Sequence, residues 1–121
     1  MRLALAAASV CVAGACVLPA TGATPAPSRL QVAAREYSLQ LSVLKVKSGP
    51  AIVELVNYGQ DDHDLRIQRQ GSKHIAGIRT VAAGKFTDLS LRLPPGRYSL
   101  WCSLANHRAL GMHATLVVTK R

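Results

Sequence analysis

Four side chains that could bind a metal lie close together near the C-terminus, in the segment WCSLANHRALGMHATL. They are Cys102, His107, Met112 and His113. A thiolate sulfur and an imidazole nitrogen are strong transition-metal ligands, and a thioether sulfur is a weak, soft one. A cysteine near a histidine could also be a nucleophile with its base. The segment therefore indicates a metal site, a cysteine enzyme, or a buried strand with a few polar residues.

The elements around this segment bring three of the four side chains together. Side chains alternate across a strand, so Tyr98, Leu100 and Cys102 share the inward face of the strand that Cys102 closes. A loop containing His107 follows, and Met112 opens the next strand. Because the loop turns back on itself, we expect the spacing C-x4-H-x4-M to let a cysteine, a histidine and a methionine converge.

A second histidine would complete the ligand set of an electron-transfer copper centre, which has two histidines, one cysteine and a weak axial methionine. His63, His74 and His113 are the candidates. Alternation turns His113 away from the face of Met112, and His74 lies in a segment without clear periodicity. His63 begins a strand after the turn NYGQDD, where its side chain can reach a neighbouring loop, so we choose His63.

Strand patterns dominate the rest of the chain, and no long amphipathic helix is predicted. Tight turns such as PPG at residues 94–96 join several strands, so we expect an all-β, antiparallel sandwich or barrel with about seven to eight strands. Residues 71–84 have weak periodicity and are predicted to form a loop with a short helix. The predicted strands comprise residues 35–46, 51–59, 63–68, 85–93, 97–104 and 113–120.

The N-terminal segment has the pattern of a secretory signal peptide. Arg2 precedes an uncharged apolar run, and small residues follow up to Ala23. We predict a signal peptide at residues 1–23, a proline-containing linker at 24–29 and one folded domain at 30–121. The chain would then be exported to the periplasm, cell envelope or exterior, with Cys102 lacking a partner in its own chain. Lipid attachment at Cys16 is a minor alternative.

The composition limits the classes of partner. The chain has 121 residues and a net charge of +9, with basic residues scattered from Arg29 to Arg121. There is no basic helix and no set of stacking aromatic residues, so nucleic-acid binding is not predicted. A charge of this size attracts an acidic protein or an anionic membrane surface, and we expect an acidic redox partner and a monomeric chain.

Three motifs together resemble the cupredoxins, the small blue copper proteins. They are NYGQDDHDL, PPGRYSLWC and CSLANHRALGM, and the resemblance extends from about Leu30 to Lys120. It implies a Greek-key sandwich that binds one copper ion and carries single electrons without being an enzyme. It also implies that His107 is the ligand nearest the surface, within a small apolar docking patch. The copper ligands that the resemblance implies are His63, Cys102, His107 and Met112, and the patch comprises Leu104, Ala105, Ala109 and Leu110.

Two positions depart from the family pattern. Asp64 stands where the family usually has an asparagine that ties the two ligand loops together. A carboxylate there could still accept backbone hydrogen bonds, but its charge would favour Cu(II) over Cu(I). Ala105 and Asn106 stand where many relatives have Pro-Gly, so the family pattern does not define the backbone conformation of the loop before His107.

Two other functions compete with electron transfer, and one acidic cluster offers a second kind of metal site. A copper carrier or buffer in the cell envelope would use the same ligands in a more exposed, exchangeable site. A cysteine nucleophile would have no role for Met112, and no oxyanion hole is evident in the sequence. The cluster DDHD at residues 61–64 could hold a hard metal ion through oxygen ligands, although a solvated turn is the simpler interpretation.

Overall fold

The computed structural model describes residues 9–19 and 22–121, so residues 1–8, 20 and 21 of the predicted signal peptide lie outside the described residues. Nine strands and one short helix follow Pro27. None of the helices in the described part of the chain is long and apolar enough to cross a membrane. The elements are β1 Ser28–Arg35, β2 Ser38–Leu41, β3 Lys45–Lys47, β4 Gly49–Asn57, β5 His63–Arg69, β6 Ile75–Val81, β7 Phe86–Leu93, β8 Gly96–Trp101, α1 His107–Leu110 and β9 His113–Thr119.

The strands form two sheets packed face to face, which confirms the predicted β-sandwich. One sheet has the order β2-β1-β4-β7 and the other β3-β9-β8-β5-β6. An aliphatic core fills the space between them, as expected for a chain with few aromatic residues. Side chains with no exposed surface come from both sheets and include Val32, Val53, Leu55, Leu65, Leu100 and Leu116.

Two strand pairs are parallel, whereas the sequence predicted antiparallel strands throughout. Strand β1 runs parallel to β4, and β3 runs parallel to β9. After β2 the chain crosses to the other sheet as β3 and then returns beside β1 as β4. Parallel neighbours need such a crossover, and short turns alone do not reveal one. The remaining pairs are antiparallel.

Residues 75–81 form strand β6, so the predicted loop with a short helix is wrong there. A bulge explains the weak periodicity. The register pairs His63 with Val81 and Leu65 with Ile78, so β6 advances three residues while β5 advances two. Ile78 and Val81 are consequently both buried although they are three positions apart. A bulge breaks the period of two by which a strand is identified in a sequence. Inward-facing residues that are three positions apart therefore do not predict a strand.

Candidate metal centre

Strand β8 delivers Cys102 to the interior, as the alternation predicted. Tyr98 and Leu100 point into the core. Cys102 comes directly after the last residue of the strand, and it has no exposed surface. It forms no disulfide. In the five-stranded sheet β8 lies between β9 and β5, so the end of β8 adjoins the start of each neighbour. The thiol therefore sits where three strands meet one end of the sandwich.

The loop after Cys102 is closed by backbone hydrogen bonds. The His107 N–H donates to Leu104 O at 3.1 Å, and the Met112 N–H donates to His107 O at 3.0 Å. The Cys102 N–H donates to Met112 O at 3.1 Å, which places the first and last residues of the loop side by side. Met112 is fully buried. The C-x4-H-x4-M spacing is thus folded into one compact turn whose middle is helix α1.

His63 completes a cluster with Cys102 and His107. It is the first residue of β5 and is fully buried. One ligand atom from each of the three residues lies within 4.8 Å of the other two. The Cys102 Sγ and His107 Nδ1 atoms are 3.5 Å apart. Two nitrogen donors and a sulfur therefore converge on one small, dry volume.

The other two histidines lie outside this cluster. His74 is exposed in the turn before β6, and His113 is exposed on the outer side of β9. The residues of the DDHD segment do not converge either. Asp61 and Asp62 are exposed, whereas Asp64 is buried and 1% exposed. Within residues 9–19 and 22–121, His63, Cys102 and His107 form the one cluster of this kind.

The hydrogen bonds of His63 leave one ring nitrogen available for a cation. Its Nε2 atom lies 2.9 Å from Glu36 Oε1. Its Nδ1 atom is buried and has no hydrogen-bond partner. An imidazole that donates Nε2–H to a carboxylate keeps its lone pair on Nδ1. A buried acceptor without a partner is costly unless something binds it, so this atom fits a metal ligand.

Glu36, which the sequence did not single out, holds both His63 and the loop before it. Its Oε1 atom accepts the backbone N–H of Gln60 at 2.9 Å and that of Asp61 at 2.7 Å. These two hydrogen bonds, with smaller help from His63, lower the pKa of Glu36 to about 2. The carboxylate lies so close to Gly59 that any Cβ there would collide with it. No local motif marks Glu36, because its partners lie 24 to 27 residues away.

Asn57 fixes the other side of the same loop. Its side-chain amide donates to Asp61 O at 2.7 Å and to Val81 O at 2.9 Å, and its Oδ1 atom accepts the Gly59 N–H at 2.9 Å. The side chain has no exposed surface. The N-x-G turn before His63 is thus a buried brace, and this explains why an asparagine and a glycine occur at that spacing.

Asp64 ties the two halves of the site together. Its Oδ1 atom accepts the Ser103 N–H at 2.6 Å, and its Oδ2 atom accepts the Ser103 hydroxyl. The Arg66 guanidinium lies 3.4 Å from Oδ2. Asp64 therefore joins the residue after His63 to the residue after Cys102. A carboxylate thus makes the link between the two loops that the resemblance implied for an asparagine.

The Cys102 thiol is held in its neutral form by its surroundings. Burial raises its pKa most strongly, and the negative charge of Asp64 adds to the rise. Backbone hydrogen bonds from Asp64 and Leu104 act in the opposite direction. A thiol of this kind becomes a thiolate only when a cation replaces its proton.

His107 is the member of the cluster nearest the surface. It is 8% exposed, whereas His63, Cys102 and Met112 have no exposed surface. The Tyr37 ring packs against it with a centroid distance of 5.2 Å, and Asp61 Oδ2 lies 3.8 Å from its Nε2 atom. Around it lie the predicted docking residues, with Leu104 half-buried and the others exposed. Ala105 adopts the left-handed backbone, with a φ of 43°.

Solved structures of auracyanins and of rusticyanin have the same architecture. Auracyanin from Roseiflexus castenholzii superposes with a TM-score of 0.65 at 17% identity, covering 78% of this chain and 99% of that chain. Auracyanin A from Chloroflexus aurantiacus, described as a "blue" copper protein, gives 0.63 at 13% identity over 78% and 100% of the two chains. Rusticyanin from Thiobacillus ferrooxidans gives 0.61 at 18% identity over 78% and 79%. No protein-family model and no curated protein sequence matches the chain. The structural likeness establishes the cupredoxin fold.

Proposed function

We propose that this cupredoxin-fold chain binds one copper ion and carries single electrons between redox proteins. The ligands are His63, Cys102, His107 and Met112. One observation carries the proposal: the buried His63 Nδ1 atom has no hydrogen-bond partner, and its ring belongs to a cluster with a thiol and a second imidazole. A metal ion is the occupant that satisfies all of these donors at once.

The donor set favours copper over other metals. Two imidazole nitrogens and a thiolate with a weak thioether ligand suit copper in an electron-transfer site. Zinc has no preference for a thioether, and hard cations require oxygen ligands. When bound, the copper ion supplies a one-electron couple between Cu(I) and Cu(II). The chain's own residues supply the rigid and dry surroundings.

Each residue around the cluster has a defined task in this proposal. Glu36 accepts the Nε2–H of His63, which holds the ring in the tautomer with a free Nδ1 atom. Cys102 loses its proton on metal binding, and the backbone N–H groups of Asp64 and Leu104 then stabilise the sulfur. Because the hydrogen-bonded loops already hold the ligands, little rearrangement accompanies a change of charge. A small reorganisation favours electron transfer.

The burial of the cluster argues against the two other functions. A copper carrier needs a site from which the metal can exchange, whereas three of the four ligands here have no exposed surface. A cysteine nucleophile needs access to substrate and a lowered pKa. Burial instead raises the pKa of Cys102. We therefore favour an electron carrier, and His107, as the ligand nearest the surface, offers one point of electron exchange.

Export remains part of the proposal. Residues 1–23 would direct secretion, and residues 24–29 would connect them to the folded domain. Residues 30–121 would form the copper-binding domain in the periplasm or cell envelope. A single unpaired Cys102 is compatible with an oxidising compartment because it is buried and would hold copper. N-terminal sequencing of the secreted chain, with mass analysis for a lipid on Cys16, tests this point.

Addition of Cu(II) to the purified protein tests the site. We expect an intense blue thiolate-to-copper absorption band and a type 1 EPR signal, both of which Cys102→Ser abolishes. His63→Asn and His107→Asn should also remove the band, while the matched controls His74→Asn and His113→Asn should retain it. A colourless protein that binds Cu(I) tightly would support the carrier function instead. No copper binding would overturn both.

A further inference from the structure

The outer side of the five-stranded sheet carries positive charge without exposed negative charge. We call the surface formed by Lys45, Lys47, Arg66, Trp101, Arg97, Arg108 and His113 the basic face. Strand register brings its members together. Lys45 and Arg97 are both paired with Val117, and Arg66 and His113 are both paired with Trp101. These residues therefore share one side of the sheet across β3, β9, β8 and β5, with Lys45 and Arg97 near one end of β8 and Arg66 and His113 near the other.

Every exposed side-chain carboxylate lies elsewhere, and the one carboxylate in contact with the face, Asp64 beside Arg66, is buried. Glu54 and Asp88 are neighbours in register on the four-stranded sheet. The other four belong to the loops and strand end around the metal centre, at Glu36, Asp61, Asp62 and Asp64. Among these, Asp64 is the one that lies in a strand of the five-stranded sheet, and it is 1% exposed. The charges are thus segregated between the basic face and the rest of the surface.

The cations of the basic face are available to a partner. Lys45, Lys47 and Arg97 are exposed, and in the described part of the chain no carboxylate lies within ion-pair distance of them. Arg66 contacts Asp64 but is still 41% exposed. Arg108 lies over the Trp101 ring at 4.4 Å from its centroid, which is a cation–π contact.

The basic face adjoins the metal centre at three residues, since Trp101, Arg108 and His113 are bonded to Cys102, His107 and Met112 respectively. Trp101 is half-buried, pairs with Arg66 on one side and His113 on the other, and is bonded directly to Cys102. A group resting on the indole is therefore connected to the cysteine sulfur by covalent bonds alone. The edge of His107, by contrast, has Asp61 Oδ2 3.8 Å from its Nε2 atom, and Asp62 is exposed nearby. An acidic surface would be repelled at the His107 edge and attracted to Trp101.

We propose that an acidic redox protein docks on the basic face and exchanges one electron with the metal centre through Trp101 and Cys102. This inference rests on the proposed function for its redox step. One electron leaves the reduced partner and enters the centre, or the reverse, so that one is oxidised as the other is reduced. A protein is favoured over a membrane because Arg66 and Arg108 lie beside Trp101, the residue next to the ligand cysteine, and only a redox partner gains from that proximity.

Anion binding can be mapped without copper, which separates this inference from the proposed function. Hexacyanochromate(III) is a paramagnetic trianion that broadens NMR signals where it binds. Added to the isotope-labelled metal-free protein, it should broaden the outward residues of β3, β8 and β9 and the indole N–H of Trp101. Equal broadening on both sheets, or broadening centred on His107, would overturn the inference.

Charge reversal then tests the redox step in the copper-loaded protein. Lys45→Glu with Arg97→Glu should slow oxidation of the reduced protein by hexacyanoferrate(III) about tenfold at low salt, the range of electrostatic steering, and added salt should shrink the difference. The matched control is Arg29→Glu with Arg92→Glu, which makes the same change of net charge on the four-stranded sheet. Equal slowing in both pairs would overturn the inference.

A membrane surface is the competing partner. We expect the wild-type protein not to sediment with vesicles that contain phosphatidylglycerol at physiological salt. If it does sediment, and Lys45→Glu with Arg97→Glu abolishes this while leaving the hexacyanoferrate(III) rate unchanged, the basic face binds lipid and the protein-docking inference is wrong. If the wild-type protein does not bind copper, the redox step fails together with the proposed function. The NMR experiment on the metal-free protein then tests anion binding to the basic face on its own.

Discussion

The Nε2 atom of His63 lies 2.9 Å from the Oε1 atom of Glu36, a residue 27 positions earlier in the chain. The same oxygen accepts the backbone N–H groups of Gln60 and Asp61. One carboxylate therefore sets the tautomer of the histidine and the path of the loop that carries it. Hydrogen-bond partners of this kind orient metal-binding histidines and raise their basicity.

Glu36→Ala should weaken copper binding about 10- to 100-fold, the usual effect of removing such a partner. Glu36→Gln should cost less, because its amide oxygen can accept the same hydrogen bonds without the charge. Competition with a copper chelator measures both affinities. Asp88→Ala, on the exposed side of β7, is the control. An unchanged affinity in Glu36→Ala would show that the loop holds His63 without the carboxylate.

Asp64→Asn should raise the reduction potential of the bound copper. Asp64 is buried beside the centre, and its negative charge favours the more positive Cu(II) state. An asparagine can still accept the Ser103 N–H bond. We expect the potential to rise by about 50–100 mV, since about 59 mV corresponds to a tenfold change in the equilibrium constant of a one-electron couple. Redox titration measures the shift, with Asp88→Asn as the control, and a lowered potential would refute the electrostatic argument.

Ala105→Gly should stabilise the protein. Ala105 has a φ of 43°, in the left-handed region where a Cβ atom is unfavourable. Glycine removes this cost, although it also increases the freedom of the unfolded chain. We expect the free energy of unfolding to rise by about 0.5–1 kcal/mol. Urea denaturation measures it. Ala109→Gly in helix α1 should have the opposite sign, and equal losses in both variants would contradict the explanation.

Tyr98 should make the protein sensitive to alkaline pH. Its hydroxyl donates to Pro94 O at 2.7 Å, and burial raises its pKa above 10.0, although the charge of Arg69 partly opposes this. Below that value the tyrosine is neutral in both states and its contribution to stability is complete. As the pH rises further the unfolded chain ionises first, so the free energy of unfolding falls.

Tyr98→Phe tests this behaviour. It should cost about 1 kcal/mol at neutral pH, the net value of one hydrogen bond. It should also flatten the loss of stability at alkaline pH. Thermal unfolding across this range measures both effects, and Tyr58→Phe, at an exposed tyrosine, is the control. If the free energy of unfolding of Tyr98→Phe falls with pH as steeply as that of the wild type, other titrating groups cause the loss.

The sequence predicted strands β4, β5, β7, β8 and β9, but it did not predict β1, and the segment 35–46 that it predicted as one strand is divided between β2 and β3. Tyr98, Leu100 and Cys102 are buried as the period of two requires. Strand β6 was missed because its bulge moves Ile78 and Val81 to an inward spacing of three. The two parallel pairs were also missed, since a crossover between sheets is a property of the topology and leaves no local pattern.

The amino-acid sequence by itself determined the candidate ligands. A cysteine, a histidine and a methionine at C-x4-H-x4-M lie on one strand end, one loop and one strand start, and local alternation with a loop that turns back predicts that they converge. It also excluded His113, because neighbouring residues of a strand point to opposite faces. Only the tertiary structure decided what surrounds them. Glu36, the Asp64–Ser103 link and the basic face depend on contacts between residues far apart in the chain, and such contacts are set by strand order and register.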